Sequence, residues 1–116
     1  MVDERRKFGN AAEQFAAAFL KSKKFTIVDV QYRNRFGEID IIAKDGEEFV
    51  MVEVKARNDH EFGYPEESVT RSKLRKIAIV AEHFISDHPQ SEWRIDVIAI
   101  EYDQVPPKIT HIIGVG

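Results

Sequence analysis

Gly37-Glu38-Ile39-Asp40-Ile41-Ile42-Ala43-Lys44-Asp45-Gly46-Glu47-Glu48-Phe49-Val50-Met51-Val52-Glu53-Val54-Lys55-Ala56 places two β-rich runs on either side of an Asp-Gly pair. Asp-Gly between such runs is a hairpin signal, and it predicts strands over Glu38–Lys44 and Glu48–Ala56. If Asp45 and Gly46 form the two-residue loop, Lys44 faces Glu47, Asp40 faces Met51 and Glu38 faces Glu53. Strand side chains alternate with period two, so Glu38, Asp40, Glu53 and Lys55 fall on one face. Asp40 and Glu53 are then diagonal neighbours, about 7–8 Å apart at Cα. A slip of one residue would send the two strands' charged sets to opposite faces, so the reading depends on the turn.

Three carboxylates and a lysine on one face are costly if that face is buried. A divalent cation between Asp40 and Glu53 would offset the repulsion. An all-oxygen set of this kind, completed by waters and a substrate phosphate, suits Mg²⁺ (or Mn²⁺). Lys55 is then placed to orient or deprotonate an attacking water. Periodicity alone favours the plainer reading, a solvated hairpin face on which Lys55 neutralises Glu53.

Outward from the hairpin, Phe8, Ala12, Phe15 and Phe19 recur at helical spacing, predicting a first helix over about Arg5–Lys23 with those residues on its core face. Phe25–Arg33 is rich in β-branched residues and reads as a strand. His60–Pro65 is a loop, and Glu66–Ser86 a second helix with an acidic first turn and Pro89 beyond its end. Trp93–Tyr102 is a fourth strand. After Pro106-Pro107, Ile109–Val115 is long enough for a short edge strand. The order α-β-β-β-α-β, with a final β, predicts an α/β fold: a mixed sheet with helices covering its faces. The 116 residues suit a single domain, 1–116, and 43% hydrophobic residues suffice for a core.

With no cysteine, disulfides and cysteine-based zinc sites are excluded. The four histidines have no paired ligand spacing. The N-terminus has no apolar signal region, and no run approaches the roughly 20 apolar residues of a spanning helix, so a cytoplasmic protein is expected. A net charge of −3 counts against bulk coating of nucleic acid, although basic groups cluster at Arg5-Arg6-Lys7, Lys21-Lys23-Lys24, Arg33-Arg35 and Arg71-Lys73-Arg75-Lys76.

Asp40 followed by Glu53-Val54-Lys55 on the next strand resembles the D…(D/E)-x-K signature of restriction-endonuclease-like nucleases. The wider pattern is more specific. Gly9-Asn10-Ala11-Ala12-Glu13, Arg33 to Asp40, Phe49 to Arg57, Phe62-Gly63-Tyr64-Pro65, Lys73 and Arg94-Ile95-Asp96-Val97 fall in the order found in the YraN-like family, from Gly9 to Ile100. Val50-Met51 stands where Phe-Val is more usual, and Ala56 where Thr or Ser is frequent. That family is described as endonucleases and is similar to archaeal Holliday-junction resolvases. The resemblance implies a restriction-endonuclease-like fold and metal-dependent cleavage of DNA, with branched or damaged DNA as candidate substrates. Glu13, Asp40 and Glu53 would be metal ligands, Glu13 directly or through water, with Lys55 as the fourth catalytic residue. Resolvases act as two-fold dimers, so a homodimer is implied by analogy only. The alternative is a non-catalytic nucleic-acid-binding or assembly module that kept the fold.

Other residues admit two readings each. From pattern alone Glu13 is a solvated flank of its helix. Lys73 shares a helix face with Val69 and Ile77, either snorkelling or contacting a phosphate near the metal. Arg33, Arg35 and Arg57 either hold phosphates or pair with Glu38, and ion pairing is expected for at least one. Arg71, Arg75 and Lys76 are expected to be exposed. Packing is expected for Trp93 and Tyr64, and Asp96 suits either a structural hydrogen bond or chemistry. The loop at His60 and Phe62–Pro65 is expected to border the cleft.

Overall fold

Alanine-rich sequence favours a helix, and the first described helix, α1, spans Ala11–Ser22. A computed structural model describes residues 11–57 and 69–116. The expected stripe is only partly the core face of α1: Ala12 and Phe19 pack half-buried against the core. Ala16, Ala17 and Leu20 are buried together with Glu13, whereas Phe15 is 39% exposed. Small side chains let the helix lie close on the sheet and turn its bulkier residues to the margin. The helix ends with Lys24 in a left-handed conformation (φ 73°). Lys24 N donates to the Lys21 carbonyl (2.9 Å) and Phe25 N to the Leu20 carbonyl (3.0 Å). This is a Schellman closure, with Leu20 and Phe25 in the same core cluster.

Five strands follow in a single sheet, in chain order: β1 (Thr26–Asn34), β2 (Gly37–Asp45), β3 (Glu48–Arg57), β4 (Trp93–Glu101) and β5 (Lys108–Val115). The β1–β2, β2–β3 and β4–β5 pairs are antiparallel, and β3–β4 is parallel. Parallel neighbours require a crossover, and this one contains α2 (Arg71–Ile85). The element order matches the α-β-β-β-α-β-β expectation, with β5 as an edge strand. The second helix begins later than expected. Thr70 caps it by accepting the Lys73 N–H at 3.1 Å, and its first turn has no acidic residue.

Alternate residues of the strands feed two cores. Val50 and Val52 pack with Ala16, Ala17 and Leu20 of α1. Phe49 and Met51 pack with Ile77, Val80 and Ala81 of α2. Trp93, half-buried, packs against this second cluster, as expected.

The hairpin register differs from the expected one. Asp45 pairs with Glu48, Ile42 with Met51 and Ile41 with Val52, so the loop is Gly46–Glu47 and not Asp45–Gly46. Gly46, at φ 64°, supplies the left-handed residue at the first loop position. Moving the loop by one residue shifts the pairing by two, so over the paired stretch from Ile41 to Asp45 the faces are kept while the partners change.

Arg94 of β4 explains the choice. Its guanidinium bonds Asp45 (3.1 Å) and Glu48 (2.8 Å), the pair that closes the hairpin, and also Asp96 (3.0 Å). Asp96 is fully buried and is a structural hub. It also accepts from Gly114 N at 3.0 Å and contacts His111 Nε2 at 2.8 Å, holding β5 at the irregularity between Ile95 and Val97. Removing one member of a buried charged network leaves its partners uncompensated. Asp96→Ala should therefore cost about 3–5 kcal/mol in a urea titration, and a loss under about 1 kcal/mol would show that the cluster does not hold the edge strand.

Candidate metal and catalytic centre

The ladder between β2 and β3 stops at Ile41–Val52. One step further the same register brings Asp40 level with Glu53, nearer than the expected diagonal placement. Here the strands part. Asp40 Oδ2 accepts the Val54 N–H at 2.8 Å, a side chain standing in for a backbone acceptor. The period-two alternation breaks at the same place. Ile41 belongs to the α1 core, but Ile39, two residues away, belongs to the α2 core. On β1, Val30 pairs with Ile41 and Tyr32 with Ile39, and Gln31 between them has φ 49°. At this break in the alternation Asp40 interacts with groups from both helices, Glu13 of α1 and Lys73 of α2.

Glu13 enters from α1. It is 6% exposed, and its two carboxylate oxygens accept from Gln31 Nε2 at 3.3 and 3.5 Å. Burial and then the Asp40 charge push its pKa up to about 7, with smaller contributions from Glu38 and Glu53 and an opposing one from the Gln31 hydrogen bond. Asp40 is pushed up to about 6, first by burial and then by the Glu53 charge, against the Val54 N–H, which favours the ionised form. Glu38 raises it further and Lys73 lowers it. The charges of Glu38 and Glu53 thus bear on both Glu13 and Asp40 at a single locus.

The cationic side of the site is Lys55 and Lys73. Each Nζ lies 3.6 Å from Glu53 Oε1, with the Glu53 side chain buried and both lysines partly open to solvent. Lys55 arrives along β3 and Lys73 from the first turn of α2, so a buried carboxylate is flanked by two partly exposed cations. Among the described residues, no group of three or more carboxylate or imidazole side chains is placed to hold a metal ion together. The donors are an open set of oxygens, which fits a hard cation that keeps several waters and takes only one or two carboxylates.

The structure brings Glu13, Glu38, Asp40, Glu53, Lys55 and Lys73 together. Arg33 joins through Glu38, at 2.8 Å, the ion pair expected of at least one of the three arginines. Arg35 is at the β1–β2 turn, its guanidinium 4.9 Å from the centre of the Phe36 ring. Arg57 closes β3 level with Glu101 of β4. Asp96 belongs to the Arg94 network. The expected loop at His60 and Phe62–Pro65, with Tyr64, lies outside the described residues, as do Arg5 to Phe8. Gln31 was missed: a glutamine on a strand carries no signal, and its left-handed backbone emerges only when β1 is paired.

Residues 12–100 match the description of "Uncharacterised protein family UPF0102". A UPF0102 protein of Caldicellulosiruptor saccharolyticus is 40% identical over 98 residues, 83% of each chain. One from Desulfosudis oleivorans is 42% identical over 103 residues, 87% of this chain and 84% of its own. One from Renibacterium salmoninarum is 40% identical over 111 residues, 93% of this chain and 94% of its own. The matched span contains every member of the carboxylate–lysine cluster. No helix among the described residues is long and apolar enough to cross a membrane.

The raised carboxylates set a pH dependence. A carboxylate whose folded pKa lies above its unfolded value stabilises the fold at low pH, and that contribution is lost as pH rises through the folded pKa. For Glu13 the window runs from 4.5 to about 7. In chelator, the melting temperature should fall between pH 5 and pH 7.5, and Glu13→Gln should flatten that fall. An unchanged slope in the variant would remove Glu13 as its source.

Proposed function

We propose that this chain, which belongs to the uncharacterised protein family UPF0102, is a metal-dependent endonuclease that hydrolyses phosphodiester bonds in DNA. The observation that carries the reading is the meeting of Asp40 and Glu53 at a point where two strands part, with Lys55 Nζ 3.6 Å from Glu53. Burial and the Glu53 charge raise the proton affinity of Asp40, a conflict that a cation would relieve, and Asp40 and Glu53 are the residues that would hold Mg²⁺ or Mn²⁺. Glu13 would complete the set directly or through a water. When bound, the ion supplies positive charge against the oxygens of the substrate phosphate.

The chain's own groups do the remaining work. The Val54 N–H holds the Asp40 carboxylate in one orientation, and Gln31 does the same for Glu13. Lys55, as a cation beside Glu53, is placed to orient a water, whose proton passes to solvent as the water oxygen adds to phosphorus. The bond from phosphorus to the leaving sugar oxygen breaks, and that oxygen takes up a proton. Lys73, beside Glu53 and partly exposed, is positioned to meet a phosphate of the same strand. A net charge of −3 confines nucleic-acid binding to such local basic groups.

The premise and the chemistry have separate tests. Titration calorimetry should show Mn²⁺ binding to the wild type and clear weakening in Asp40→Asn. Incubation with Mg²⁺ or Mn²⁺ should cleave at least one of linear, nicked and four-way DNA. Lys55→Ala should slow that cleavage by about 10²–10⁴-fold. Cleavage that survives both Asp40→Asn and Lys55→Ala would assign the activity elsewhere. Salt-dependent DNA binding without cleavage in either metal would make the protein a binding module.

A further inference from the structure

The turn between β1 and β2 displays an aromatic ring outside both cores. Phe36 is 44% exposed at the tip, with the Arg35 guanidinium 4.9 Å from its ring centre. His83 of α2 meets the ring edge-on at 5.6 Å. The tip is braced. Asn34 Oδ1 accepts the Phe36 N–H at 2.9 Å, and Asn34 Nδ2 donates to the Val80 carbonyl at 3.3 Å. Gly37, at φ 145°, permits the close approach to α2, because a Cβ there would lie 3.3 Å from Val80 Cγ2. Residues 33–38 line an open cleft of about 480 Å³. An exposed ring held in a fixed pose binds a flat partner with little ordering left to do.

The tip shares its two elements with the carboxylate–lysine cluster, so its distance can be gauged twice. Phe36 precedes Asp40 by four residues, about 13 Å at the rise of a strand. Lys73 precedes His83 by ten residues on α2, about 15 Å at the rise of a helix. Both values correspond to about four base-pair steps of duplex. Arg33, 72% exposed in its side chain, and the exposed Lys76 lie along the way and suit backbone phosphates. A base inside a continuous duplex has no free face for Phe36. An unpaired base does, and a ring flanked by a guanidinium stacks on any base regardless of identity.

We infer that the Arg35–Phe36 tip is a stacking platform for an unpaired base of the DNA substrate, so that the site acts on DNA with unpaired nucleotides about four steps from the phosphate at Asp40 and Glu53, in preference to continuous duplex. The inference rests on the nuclease reading for the bond that is cut, and on the tip itself for the shape of DNA that is chosen.

Three DNAs of one sequence test it: a duplex, the same duplex with a four-nucleotide gap carrying 2-aminopurine, and the single strand. Binding is followed by anisotropy and 2-aminopurine fluorescence in chelator, and cleavage in Mn²⁺. The wild type should bind gapped DNA at least about tenfold more tightly than duplex and change the 2-aminopurine signal on stacking. Phe36→Ala should weaken gapped-DNA binding about five- to 150-fold while leaving duplex binding unchanged, and Phe36→Trp should retain it. Arg35→Gln, with a partial loss, gives the same reading should the alanine variant melt early. Equal affinity for duplex and gapped DNA, or a Phe36→Ala protein that binds both as the wild type does, overturns the platform. Mn²⁺-dependent cleavage in that case leaves the nuclease reading standing. Gap-selective binding through Phe36 without cleavage in any metal keeps the platform and removes the nuclease. Failure to bind any of the three overturns both.

Discussion

The Asp40 carboxylate accepts the Val54 N–H at 2.8 Å, and the surrounding site is built around that bond. A backbone donor at the end of a ladder needs an acceptor, and here a side chain supplies it. The consequence is a gap between β2 and β3 in which Asp40 and Glu53 stay close without the strands closing over them. Glu13 from α1 and Lys73 from α2 both meet the carboxylates at this gap, Glu13 beside Asp40 and Lys73 beside Glu53. Separation of the strands is thus what permits charge to gather at the sheet's end.

Gathering charge there carries a cost, visible in the raised proton affinities of Glu13 and Asp40. Lys55 and Lys73 lower it from one side of Glu53. The remaining strain falls on the Glu13–Asp40 side, where Gln31 Nε2 donates to the Glu13 carboxylate at 3.3 and 3.5 Å. Asp96 presents the opposite solution with the same residue type. It too replaces a backbone acceptor at an irregular point of the ladder, taking the Gly114 N–H. Its charge, however, is matched by Arg94 and surrounded by donors, and it is fully buried. One aspartate is saturated and structural, while the other is left in conflict at an open edge. That contrast separates a site from a clasp.

Much of the fold was legible in the chain. Hydrophobic periodicity and the Asp-Gly signal located five strands and two helices in order, and period-two alternation grouped Glu38, Asp40, Glu53 and Lys55. Ion pairing of an arginine with Glu38 was readable from charge alone. The errors have physical causes. On α1, phenylalanines outrank alanines in hydrophobicity, but small residues won the core face because they allow close contact with the sheet. On α2, a threonine hydroxyl set the start after the acidic residues that had suggested an earlier one.

By itself, the sequence determined which elements form, which residues alternate onto a common strand face, and that carboxylates and lysines of opposing strands share it. These are local matters of spacing and backbone preference. Tertiary structure decided the register, because Arg94 grips Asp45 and Glu48 from a strand 46 residues or more away along the chain. It also decided that Asp40 faces Glu53 and that Gln31 turns left-handed to meet Glu13. Lys73 was brought to Glu53 by the same means. Contacts of this kind depend on how helices and strands pack in space, and spacing along a single strand does not contain that information.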